Sequence, residues 1–93
     1  MIRTKEEIEK KIKELGIKRW NVHNCSMCDY PVGYIFEDDK IFLDTGCYCV
    51  GYINIKPSSI EDVVYTFNLN QKENNPNIEQ KYLDDLDKFF GFN

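Results

Sequence analysis

A chain of 93 residues, 42% hydrophobic and 30% charged, has the balance of one small globular domain spanning residues 1–93, and it contains no apolar run long enough to form a membrane-crossing helix. Its net charge of −4 is unevenly spread: residues 1–24 carry seven Lys/Arg against four Glu, whereas residues 25–93 carry five Lys against twelve Asp/Glu. An acidic body repels phosphate backbones, which argues against a general nucleic-acid binder and favours a partner with a basic surface.

The opening "MIRTKEEIEKKIKELG" breaks its apolar residues with charges and lacks a hydrophobic core followed by a small-residue cleavage site. It is therefore no secretory signal, and a reducing cytoplasm is the expected compartment. Thr4 and Glu7 form a capping box, Ile8, Ile12 and Leu15 recur at helical spacing, and Gly16 supplies a stop, so a helix is predicted over residues 5–15. Glu6–Lys10, Glu7–Lys11 and Glu9–Lys13 have the charge order that supports such a helix.

"IKRWNVH" alternates as a modest strand, with Ile17, Arg19 and Asn21 on one side and Lys18, Trp20 and Val22 on the other. "PVGYIFEDDKIFLDTG" is a clearer β-hairpin, with aromatic and β-branched residues on either side of the turn-forming "EDDK". If the turn centres between Asp38 and Asp39, Phe36 faces Ile41 and Tyr34 faces Leu43. Continued outward, the same register sets Cys28 opposite Cys49 and Tyr30 opposite Cys47. "CVGYINI" is expected to continue as a further strand. Pro57 and the serines then open a second helix, with Ser58 and Glu61 as capping box and Ile60, Val63, Val64 and Phe67 as apolar stripe. After the polar "NLNQKENNPN", a last helix is expected from near Pro76, with Ile78, Tyr82, Leu86 and Phe89 on its apolar face, Leu83 and Phe90 beside them, and Gly91 as its stop.

All four cysteines fall in a C-x2-C-x18-C-x-C pattern: Cys25, Cys28, Cys47 and Cys49. Two close pairs gathered by one hairpin suit a tetrahedral Zn²⁺, which takes four soft ligands at roughly 2.3 Å. Structural zinc is the leading reading. Two disulfides, a four-thiolate iron site and free core thiols are the alternatives. Zinc bound to four thiolates would take the net charge to about −6. His23, the only histidine, is a substitute ligand should a cysteine not take part. Catalysis is not expected, because a metal saturated by thiolates keeps no position for water, and Asp29 and Asp44 belong to no recognisable carboxylate pair.

Trp20, Tyr30, Tyr34, Phe36, Phe42, Tyr48 and Tyr52 are expected to be mainly core, with any uncovered remainder serving partner binding. Candidate partner-facing residues are Trp20, the turn acids Asp38 and Asp39, and the helical tract Asp84, Asp85 and Asp87.

A cysteine pair leading into Tyr30-Pro31, a hairpin running from Asp44 to Cys47 and Cys49, and Pro57-Ser58-Ser59 with Glu61-Asp62 form the first part of a longer constellation. Asn68 with Asn70 and the terminal Phe90-Gly91-Phe92 complete it. It resembles a group of small four-cysteine phage and prophage accessory proteins from residue 24 to the end; those proteins often carry Trp where this chain has Ile60. The resemblance implies a gene of a mobile element, among which small inhibitors of bacterial defence, including anti-CRISPR proteins, are found. Lysine- and asparagine-rich usage fits a low-GC bacterial host.

The reading is thus an α+β fold: a small antiparallel sheet with a zinc-clamped hairpin, one N-terminal helix and two C-terminal ones. The expected function is non-enzymatic inhibition, by occupying a basic nucleic-acid-binding surface of a host protein or ribonucleoprotein complex. The alternative is a zinc-ribbon nucleic-acid-binding regulator using Lys10, Lys11, Lys13, Lys18, Arg19 and Trp20.

Overall fold

The computed structural model of the protein describes residues 1–47, 49, 51 and 54–93. Its elements are α1 (Lys5–Leu15), β1 (Arg19–Asn24), β2 (Pro31–Glu37), β3 (Lys40–Asp44), β4 (Ile55–Pro57), α2 (Ile60–Leu69) and α3 (Gln80–Phe90). They form an α+β chain of two compact units, a helical one of residues 1–16 and 60–93 and a sheet unit of residues 17–59.

In the helical unit, α1 starts and stops as its sequence dictates. Thr4 Oγ1 accepts from the Glu7 amide at 3.2 Å, Glu7 Oε1 accepts from the Thr4 amide at 3.0 Å, and Gly16 closes the helix in the left-handed conformation at φ 60°. The expected Glu-to-Lys pairs give way to Arg3–Glu7, Lys10–Glu14 and Lys11–Glu14; Glu7 is committed to the cap and to Arg3.

Ile8, Val63, Phe67, Leu83, Leu86 and Phe90 are the buried apolar residues of this unit. Phe67 meets Phe90 edge-on with centroids 5.3 Å apart, and the Arg3 guanidinium lies 4.1 Å over the Phe92 ring. Burial of side chains this large contributes about 2–3 kcal/mol each.

Three expectations shift. The second helix begins at Ile60, which moves the capping position from Ser58 to Ser59; Pro57 lies instead in β4, an edge strand where a missing N–H is tolerated. The third helix begins at Gln80, because the asparagine-rich stretch is folded into turns. Asn68 exchanges two hydrogen bonds with the backbone of Arg3, both 2.9 Å, and Asn74 donates to Asn68 O at 2.8 Å. Phe89 lies off the Leu83–Leu86–Phe90 face and is 43% exposed.

The sheet unit is a four-stranded antiparallel meander in the order β1-β2-β3-β4. The β2–β3 register is the expected one, pairing Tyr34 with Leu43, Phe36 with Ile41 and Glu37 with Lys40. Asp38 and Asp39 form the turn at φ 44° and 66°, the positive-φ pair that matches the twist of a two-residue hairpin. A β-bulge separates Asn21 from His23 on β1. Gly33 meets the β1 backbone there so closely that a Cβ would stand 2.0 Å from Trp20 O. The strand expected over residues 49–55 includes Val50, Tyr52 and Ile53, which lie outside the described residues, as does Tyr48; the described strand is β4.

Candidate metal centre

The β2–β3 ladder ends at Gly33↔Asp44, and the cysteines lie in the loops beyond it. The first pair sits on a tight turn closed by two backbone hydrogen bonds of 2.9 Å, Cys25 N to Tyr30 O and Asp29 N to Cys25 O. Asp29 takes a left-handed conformation at φ 60° and accepts from Asn24 Nδ2 at 2.9 Å, the short polar side chain being among the few that tolerate it. The second pair follows Gly46. Its loop is closed at the base by Thr45 N to Asn54 O at 2.9 Å and Asn54 Nδ2 to Thr45 Oγ1 at 2.8 Å.

These two loops bring all four sulfurs within 4.8 Å of one another. Cys28–Cys47 is 3.3 Å, Cys25–Cys47 3.4 Å and Cys25–Cys49 3.9 Å. Four thiolates around one ion at about 2.3 Å would stand about 3.8 Å apart, so the cluster has the dimensions of a tetrathiolate metal site. A disulfide needs about 2.05 Å, and all four cysteines are unbonded. His23, exposed on β1, is not a member of the cluster.

The thiols answer to one another electrostatically. Backbone amides of Cys28 and Met27 hold Cys25 below the ordinary thiol value. Desolvation pushes Cys28 up, but the amide of Tyr30, the Cys47 thiol and the Cys49 amide outweigh it and bring Cys28 down to about 6. Cys49 is pushed up to about 12, chiefly by Cys47. Cys47 is drawn down by Cys49 yet driven up on balance by Cys28 and Cys25. Ionisation is thus favoured at Cys25 and Cys28 and opposed at Cys47 and Cys49 by hydrogen bonds among the thiols and by desolvation, an opposition that a bound divalent cation would offset.

Where the two cysteine loops begin stands a residue whose role the sequence did not single out. The Asp44 carboxylate, 2% exposed, accepts from Tyr30 Oη at 2.8 Å, from the Gly46 amide at 3.1 Å and from Arg19 Nη2 at 3.3 Å. Tyr30 follows the first cysteine pair by two residues and Gly46 directly precedes the second, so one buried carboxylate ties both ligand loops together. Arg19 also donates to Pro31 O at 2.9 Å, which anchors the charge that offsets the carboxylate. The legible signal was an acid at the end of a strand, three residues before a cysteine; its partners are remote in sequence.

The expected partner-facing residues divide. Asp38 and Asp39 are exposed in the hairpin turn, Asp84 and Asp85 are exposed on α3 and Asp87 is half-buried. Asp84 accepts from Gln80 at 2.9 Å and Asp85 pairs with Lys81 at 3.4 Å. Trp20 is a correction: it is 3% exposed and stacks on Tyr34 at 5.8 Å, because an indole opposite a tyrosine in a β-ladder gains more from burial than from solvent.

Comparison with protein-family models, with curated proteins and with solved structures finds no match. The centre is therefore read on its own geometry. No helix among the described residues is long and apolar enough to cross a membrane.

Proposed function

We propose that this chain is a small, non-enzymatic protein-binding inhibitor of a phage or mobile element, held in shape by a structural zinc ion and acting in the cytoplasm of a bacterial host. The target would be a host complex of anti-CRISPR type, blocked by carboxylates standing where phosphates normally bind. The observation that carries the reading is the exposed run Glu37-Asp38-Asp39 at the tip of a hairpin whose other end leads into the four converging thiols. A clamp at one end gives the acidic tip a fixed presentation. Zinc suits four thiolates without redox chemistry, and a closed tetrahedral site keeps no water for catalysis.

The nucleic-acid-regulator reading is weaker on specific grounds. Lys10 and Lys11 pair with Glu14, Arg19 pairs with Asp44, and Trp20 is buried, so most of the proposed basic-aromatic set is already engaged.

Three measurements test the proposal. Native mass spectrometry should show a zinc-sized increment with displacement of thiol protons. Electrophoretic shifts with DNA and RNA at 50 and 200 mM salt should show no tight complex; strong binding that falls steeply with salt would transfer the assignment to the regulator. Expression in a CRISPR-competent host should raise the plaquing efficiency of a targeted phage, and replacing Asp38 and Asp39 by Asn should reduce that protection about tenfold.

A further inference from the structure

The four sulfurs are not equivalent. Cys28 and Cys25 each stand within 3.4 Å of Cys47, and all three of these residues are half-buried. Cys49 lies 3.9 Å from Cys25 and is the exposed member of the set. Solvent and small electrophiles therefore reach one ligand before the others.

We infer that Cys49 is the oxidation site of the centre, the thiolate that a peroxide attacks first, with Cys25 as the resolving thiolate. The inference rests on the zinc reading above. In the first step Cys49 Sγ forms a bond to one peroxide oxygen as the O–O bond breaks. Sulfur loses two electrons to give the sulfenic acid, and the second oxygen leaves as hydroxide. In the second step the Cys25 thiolate attacks that sulfur, an S–S bond forms, the S–O bond breaks and a second hydroxide leaves. Two thiolates and one hydrogen peroxide become one disulfide and two hydroxides. The ion is left on Cys28 and Cys47 alone, a two-ligand site that cannot hold zinc against solvent.

The experiment uses the full-length zinc-loaded protein, with metal content fixed beforehand by native mass spectrometry. Hydrogen peroxide is added at stoichiometric ratios, a dimedone-type trap captures sulfenic acid, peptides are mapped, and zinc release is followed with a chromophoric chelator. The trap should mark Cys49 before any other cysteine, and without the trap a Cys25–Cys49 disulfide should appear in step with zinc release. Cys49→Ser, where it folds and binds zinc, should release the ion at least tenfold more slowly. First labelling at Cys25, Cys28 or Cys47, or a different disulfide, would overturn the inference while leaving the zinc reading intact. A protein that takes up no zinc would overturn both. Because the labelling is read on the unaltered chain, the test does not depend on the variant folding.

Discussion

Asp44 carries a carboxylate into the protein where both cysteine loops begin, a burial that costs several kcal/mol unless fully compensated. Tyr30, Gly46 and Arg19 supply that compensation. In doing so they fix where each cysteine loop begins, as supporting hydrogen bonds do around metal ligands generally. Asp44→Asn keeps the shape but loses the charge opposite Arg19. It should weaken zinc affinity about tenfold in a chelator competition and lower unfolding stability by about 1–3 kcal/mol. Unchanged affinity would show that the carboxylate has no hand in the centre. Gly33 is the complementary case, because what matters there is the absence of a side chain. Gly33→Ala places a methyl group 2.0 Å from Trp20 O, a contact with backbone rather than with a flexible chain end, and should cost at least about 2 kcal/mol in urea unfolding.

Among the elements, the hairpin was the most legible. Its two-residue turn fixes the register, and alternating β-branched and aromatic residues fix its faces, so the pairs from Glu37↔Lys40 to Tyr34↔Leu43 followed from counting. Extending that count to Cys28↔Cys49 failed as a ladder, since the β2–β3 ladder ends at Gly33↔Asp44 and Cys28 lies in a turn, but it anticipated correctly that the two cysteine pairs meet. The first helix was equally plain because its cap and stop are local. By contrast, the start of α3 was hidden: Pro76 is a good first-turn residue, yet backbone turn bonds from Gln71 to Ile78 and the Asn74 side chain on Asn68 O hold the stretch before the helix in turns.

Two predictions belong to this scale. Asp39 occupies φ 66°, so Asp39→Gly should relieve strain and raise stability by about 0.5–1 kcal/mol in thermal unfolding; a loss would assign the side chain a structural role. In the α1 cap, the Thr4 amide and then Arg3 hold Glu7 below its ordinary value. A carboxylate lowered in the folded state contributes stability that is complete above its unfolded value of 4.5 and disappears as pH falls through the lower folded value. Glu61, held down chiefly by Lys5, and Glu73, held down by its own amide and that of Ile2, act in the same sense. Helical circular dichroism in a fixed urea concentration should therefore weaken as pH drops below 4.5, and Glu7→Gln should flatten part of that dependence.

For the molecule as a whole, the division into two units would decide how loss of a metal from the cysteine cluster is felt. The four cysteines all belong to residues 17–59, whereas the apolar core of Ile8, Val63, Phe67, Leu83, Leu86 and Phe90 belongs to the other unit. Structural zinc contributes on the order of 10 kcal/mol to the folding of small cysteine-ligated domains. Chelation should therefore accelerate amide exchange across β1, β2 and β3 while α1, α2 and α3 keep most of their protection. Uniform loss of protection would mean that the two units unfold as one.

The sheet unit's entry and exit strands lie on opposite edges of its meander. Lys18 O accepts from Phe36 N, Ser58 N donates to Ile41 O, and Phe36 faces Ile41, so the path from one edge to the other crosses three interstrand spacings, about 14 Å. A linker of some five residues could bridge that gap. The four-cysteine segment is thus an insert in the chain between α1 and α2, entering by one margin of its meander and leaving by the other.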